Sequence, residues 1–156
     1  MTERTKRMLC ELAPSAQAAF QAFFERLDKE IGDDRYIAFE GRRSVRTQEA
    51  YYAQGRQPLA DVNNLRKAAG LYLLRSERDN LMITWTLKSK HIDGLAMDVL
   101  PADGAGNPTW DLAHYRGAFE TIRDCGFAAG LECGADWAAP KTDWPHYEVK
   151  DAGDGK

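Results

Sequence analysis

Five apolar side chains, Phe20, Phe23, Phe24, Leu27 and Ile31, recur at i, i+3, i+4, i+7 and i+11. That spacing stacks them on one side of an α-helix, whereas a strand would scatter them over both faces. Pro14 suits a first helical turn and Gly32 a C-terminal cap, so the pattern predicts a helix over 14–32. Three phenylalanines on one stripe must be buried against a second layer, and core packing is the use expected of them rather than a ligand groove. At 156 residues the chain is long enough to build that layer without disulfides or metal as a staple. One domain over 1–150 is expected, followed by a disordered tail at 151–156.

The rest of the chain supplies short strands and helices in alternation. "RYIAFEG" (35–41) reads as a strand and 43–56 as a helix with Gly55 near its end, which leaves Arg43 at their junction. From Gln57 to Asn80 the sequence is polar, with a short helix around 62–74, and fits a flap or an insertion. "LMITWTL" (81–87) and "LAMDVL" (95–100) are rich in β-formers, and Pro101 ends the second. Leu112, Tyr115, Phe119 and Ile122 mark a helix over 111–125 that stops at Gly126. Pro145 biases Trp144 away from helix, so 143–150 should be extended. No internal repeat or linker interrupts this order.

Composition removes several classes of function. Apolar residues at 44%, charged residues at 29% and a net charge of −3 are ordinary globular values without the basic surplus of a nucleic-acid or anionic-membrane binder. The N-terminal stretch has no apolar signal-peptide core, and no run reaches the roughly 18 apolar residues of a membrane span. A soluble product without stable membrane association is expected, held in the cytosol until something releases it. Cys10, Cys125 and Cys133 are odd in number and lack CxxC spacing, which makes reduced, mostly buried thiols the default.

The chemistry-bearing residues cluster at two places. In "SKHIDGLAMDV" (89–99), His91 and Asp98 stand seven positions apart around Gly94. In a straight strand an odd separation sends two side chains to opposite faces, but a glycine lets the backbone turn between them. A turn and a metal site both fit that stretch. Of the three histidines, His114 lies in the 111–125 segment without ligand spacing and reads as a surface residue. His146 would add a second imidazole to His91 and Asp98, a set that suits Zn2+ and leaves a position open for water. Hydrolysis of an amide then needs a carboxylate to move a proton from water to the leaving amine, and Asp143 is the candidate. Asp143 could equally cap the turn before Pro145, and Glu148 could reach the same face as His146 along a strand.

"SKHIDGLAMDV" together with "DWPHYEV" (143–149) resembles the zinc D-alanyl-D-alanine carboxypeptidase and L-alanyl-D-glutamate peptidase family, to which many phage endolysins belong. Ser89, His91, Gly94, Ala96 and Asp98 fill its first motif, and Asp143 and His146 its second. "EGRRSVRTQEAYYAQGR" (40–56) is similar to the family's upstream Arg-Ser-x-x-x-Gln element and "GLECGADW" (130–137) to its Gly-Gly-Asp-Trp element, so the likeness runs from about Phe39 to Val149. The resemblance implies an α+β fold of the Hedgehog/DD-peptidase type, in which a small antiparallel sheet carries the zinc site and helices flank it. It implies His91, Asp98 and His146 as metal ligands, Asp143 as general base and Arg43 as the cation that meets substrate and oxyanion. Ser89 and Gln48 would bind substrate or tie a loop, while Asp136 and Trp137 would shape the wall. Two positions depart from the pattern: the base is Asp where many members carry Glu, and Ala135 replaces the second glycine.

The function implied is a monomeric zinc peptidase cutting the peptide stem of peptidoglycan, between L-Ala and D-Glu, as a phage or prophage endolysin. A lone catalytic domain without an export signal motivates the lysin setting, in which the enzyme waits in the host cytoplasm until it reaches the wall. The alternatives are a D-alanyl-D-alanine carboxypeptidase or dipeptidase and, in a different class, a catalytically silent zinc-stabilised interaction domain.

Overall fold

The computed structural model describes residues 1–151, so all of the predicted tail except Asp151 lies outside the described residues. Backbone proximity divides the chain into two compact units, one formed by 1–42 with 93 onward, the other by 43–92.

The first unit is the α+β fold that the resemblance implies. It contains helices α1 (Glu3–Glu11) and α2 (Pro14–Glu30) and strand β1 (Tyr36–Glu40). Strand β2 (Ala96–Pro101), helix α5 (Arg116–Ala128) and strands β3 (Leu131–Cys133) and β4 (His146–Val149) complete it. The strands form one antiparallel sheet in the order β1-β2-β4-β3. The Phe stripe does what its spacing demands: Phe20, Phe23, Phe24 and Leu27 are fully buried in one cluster with Tyr36, Ala38, Met97, Val99, Leu131, Cys133 and Tyr147 from the sheet. Each phenylalanine so buried contributes about 1.5–3 kcal/mol. Phe23 meets the Tyr147 ring at 4.7 Å, which locks α2 to β4.

Two features of this unit differ from expectation. Helix α1 was not anticipated; Thr2 caps it by accepting the Thr5 N–H, and it buries only Thr5, Met8 and Leu9, too short a stripe to stand out among its charges. Its Arg4 donates to the carbonyls of Ala38 and Phe39 at 2.8 Å and so satisfies the outer edge of β1. Helix α5 starts at Arg116 rather than 111, because Asp111 accepts the His114 N–H and closes a turn there. His114 is therefore an exposed turn residue before the helix. At its other end α5 runs through Gly126 to Ala128. Gly126 does not stop the helix: a Cβ there would stand 2.6 Å from the Tyr147 ring, so its bareness serves packing.

The second unit holds helices α3 (Val45–Ala53) and α4 (Leu59–Ala68) around a small cluster of Ala53, Val62 and Leu74. Ser44 caps α3 through the Thr47 N–H. Helix α4 begins and ends before the predicted 62–74, since Gly70 at φ +76° turns the chain out of it. "LMITWTL" forms no strand, and Leu81, Met82, Ile83, Trp85 and Leu87 are exposed. Side chains anchor this run instead: Gln48 donates to the Thr86 carbonyl at 2.6 Å and Arg56 to that of Thr84 at 3.0 Å.

Candidate metal centre

Antiparallel pairing sets most of the site. β2 and β4 place Asp98 opposite His146, Met97 opposite Tyr147 and Ala96 opposite Glu148. Because strand side chains alternate, Met97, Val99 and Tyr147 enter the helix-facing core, and Asp98, His146 and Glu148 share the other face. β3 adds Glu132 opposite Glu148. On the other side of β2 the register slips between Ala38 and Glu40, which brings Glu40 across from Asp98.

His146 is approached by a carboxylate at each ring nitrogen. Its Nδ1 lies 3.5 Å from Asp98 Oδ1, and its Nε2 is 2.8 Å from Glu148 Oε2. Burial works against a charge on the ring, yet hydrogen bonding to the Asp98 and Glu148 carboxylates and the charges of Asp98 and Asp143 outweigh it. These groups push its pKa up to about 9. The Trp137 ring stands 4.9 Å from the imidazole, and its Nε1–H donates to Glu132 Oε1 at 2.9 Å. Asp136 takes a two-pronged bond from Arg123 at 3.0 and 2.9 Å, anchoring the Gly134–Asp136 turn to α5.

Asp143 is positioned by its backbone. Its N–H donates to the Gly134 carbonyl at 2.9 Å, and its own carbonyl accepts the His146 N–H at 3.2 Å. A Cβ on Gly134 would collide with the Asp143 carbonyl, so only glycine permits this approach. The Asp143 side chain is exposed.

His91 sits in the turn that follows Ser89. Ser89 Oγ accepts the His91 N–H at 3.3 Å, the Ser89 carbonyl accepts the Ile92 N–H at 3.0 Å, and the His91 carbonyl accepts the Arg43 N–H at 2.9 Å. Gly94 leaves the turn at φ +71°, and its carbonyl accepts the Ala13 N–H so closely that a Cβ would stand 2.8 Å from that nitrogen. Arg43 donates from Nη1 to Gln48 Oε1 at 2.6 Å and lies 4.8 Å from the centre of the Tyr51 ring. Gln48 is buried, with its amide divided between Arg43, Thr84 and Thr86.

His91, Asp98 and His146 each offer a ligand atom, and these atoms lie within 4.8 Å of one another. Two largely buried imidazoles and one carboxylate that close together have the donor chemistry of a zinc site and fit the ion the resemblance implies. The sequence points to these three residues, but it offers Glu148 only as an alternative to Asp143 on the face of His146, and nothing in it marks Glu132. The i, i+2 spacing from His146 was the signal for Glu148.

Residues 83–149 match the family model described as D-alanyl-D-alanine carboxypeptidase. No curated protein sequence matches the chain. Among solved structures it is similar to the Serratia marcescens L-Ala D-Glu endopeptidase ChiX, with a TM-score of 0.56 and 19% identity over 96% of this chain and 89% of that one. It is also similar to the vancomycin resistance D,D-pentapeptidase VanY of a VanB-type cassette, solved with Zn(II). There the TM-score is 0.51 and the identity 14%, over 88% of this chain and 72% of that one. At these identities the likeness is one of fold.

Proposed function

We propose that the protein is a zinc endopeptidase that cuts the L-Ala–D-Glu bond of the peptidoglycan stem peptide, with His91, Asp98 and His146 as the metal ligands. The observation that carries the reading is the convergence of these three residues' ligand atoms within 4.8 Å in a chain whose residues 83–149 match the D-alanyl-D-alanine carboxypeptidase model. Fuller mutual coverage with the L-Ala D-Glu endopeptidase than with the D,D-pentapeptidase supports the choice of bond. The family model's description favours a second reading, removal of the terminal D-Ala.

His91, Asp98 and His146 would hold zinc, which when bound would lower the pKa of water to about 7 and polarise the scissile carbonyl. Asp143 takes the proton of the attacking water and delivers it to the departing amine, a role that needs an exposed carboxylate beside the ligands. Its backbone bond to His146 fixes that proximity. Arg43 offers a guanidinium, already oriented by Gln48, to the oxyanion. Ser89 and Gln48 position the His91 turn and Arg43, and extend to substrate contacts in this reading. As a phage or prophage lysin acting as a monomer, the protein is stored in the host cytoplasm. No helix among the described residues is long and apolar enough to cross a membrane.

Mass spectrometry of purified peptidoglycan digested with and without chelator tests the bond. New D-Glu amino termini that vanish with chelator are expected. Free D-Ala instead would establish the second reading, and a zinc-loaded protein that releases nothing would establish a silent interaction domain. Asp143→Ala should keep its zinc and lose roughly 10²–10⁴-fold in rate.

A further inference from the structure

We infer that Glu148 is a positioning residue for the metal centre: its carboxylate holds Nε2 of His146 and commits that ring to ligate through Nδ1. The inference rests on the metal reading of the site and goes beyond it to the orientation of one ligand. Nε2 and Glu148 Oε2 are 2.8 Å apart, whereas Nδ1 is the nitrogen turned toward Asp98, at 3.5 Å. The two side chains share one face of β4, at i and i+2, and both are largely buried, with 9% and 13% of their surfaces exposed. A ring turned over by 180° would set carbon where Nε2 meets the carboxylate and forfeit a charge-assisted hydrogen bond in a shielded setting.

The face of the ring is restrained as well. Trp137 lies against it at 4.9 Å, oriented by its bond to Glu132. Glu148 therefore fixes the edge of the imidazole and Trp137 its plane. A carboxylate that accepts the second N–H of a metal-bound imidazole makes the other nitrogen more basic and removes the entropy of orienting it. Losing such a partner lowers metal affinity by about 10–100-fold.

Zinc affinity by chelator competition, together with long-range 1H–15N spectra of the zinc-loaded protein, tests the assignment. With only three histidines, His91, His114 and His146, the spectra are readily assigned. In the wild type His146 should show a protonated Nε2 and a metal-shifted Nδ1. Glu148→Ala should weaken zinc about 10–100-fold, and Glu148→Gln, whose carbonyl still accepts the Nε2 proton, should recover most of that loss. Ligation of His146 through Nε2 in the wild type overturns the inference, as does an alanine variant whose affinity stays within about two-fold of wild type. If the alanine variant does not fold, the wild-type spectrum and the glutamine variant decide. A wild type that binds zinc through Nδ1 yet leaves peptidoglycan intact would refute the proposed function and leave this inference standing. A wild type that binds no zinc would refute both.

Discussion

Gly126→Ala sets two effects of opposite sign against each other at one position. Inside helix α5 the exchange should help, since glycine costs a helix interior about 1 kcal/mol relative to alanine. The new methyl, however, would stand 2.6 and 2.7 Å from Cε1 and Cδ1 of Tyr147 and 3.4 Å from Phe23 Cε2. Ordinary carbon contacts are about 3.5–4 Å, so the tyrosine ring must retreat by about 1 Å. It has little room to move: Tyr147 is fully buried and packs on the Phe23 ring at 4.7 Å. Overpacking costs about 1–3 kcal/mol, and a ring without room to retreat belongs in the upper half of that range, so after the helix gain a net loss of about 1–2 kcal/mol is expected, a fall in Tm of roughly 3–6 °C. Gly117→Ala in the same helix meets nothing within 4 Å and should raise Tm by about 1–4 °C. Urea and thermal melts of both variants, and of Gly126→Ala combined with Tyr147→Leu, measure the conflict directly. The double variant should show a coupling of about 1 kcal/mol or more in its favour. A Gly126→Ala protein as stable as wild type beside a normally behaving Gly117→Ala would refute the packing argument.

Zinc at about 100 times its Kd should stabilise the fold by about 2.7 kcal/mol, read as a thermal shift that chelator reverses. His91→Ala, Asp98→Ala and His146→Ala should abolish that shift, and His114→Ala should keep it. The Tyr147 hydroxyl is buried without a hydrogen-bond partner, so Tyr147→Phe should leave stability unchanged or raise it by up to about 1 kcal/mol. A loss larger than that in a urea melt would show that the hydroxyl is satisfied. Iodoacetamide should label exposed Cys10 in the native protein and spare Cys125 and Cys133, both buried. Burial raises the Cys125 thiol and pushes that of Cys133 up to about 11. Peptide mapping that finds Cys133 modified before unfolding would contradict this.

What was legible in the sequence was whatever one segment decides by itself. The Phe20–Ile31 stripe announces α2 because a helix of that pattern has only one face to bury, and "LAMDVL" announces β2 because its branched residues end at a proline. "LMITWTL" misleads by the same rule: β propensity measures fit to a pleated, half-buried surface, and the described residues of its own unit, 43–92, form no strand for it to pair with. Gly126 misleads for the complementary reason. A glycine after an apolar helical pattern reads as a stop, and its use as clearance for Tyr147 exists only once β4, some twenty residues on, has come back against α5.

The site obeys the same division. Two short motifs supply His91, Asp98, Asp143 and His146, but no local pattern states that Asp98 stands across from His146, because that pairing belongs to the register of β2 with β4. A shift of one residue would carry Asp98 to the core and Met97 to the site face. What holds the register is the apolar half of the alternation: Met97, Val99 and Tyr147 bury themselves against the phenylalanines of α2, and the polar half must then follow. The hydrophobic stripe that folds the domain therefore also aims its candidate ligands. Substitutions that loosen the core under β4, Gly126→Ala first among them, should weaken zinc binding as well as stability, although they touch no ligand.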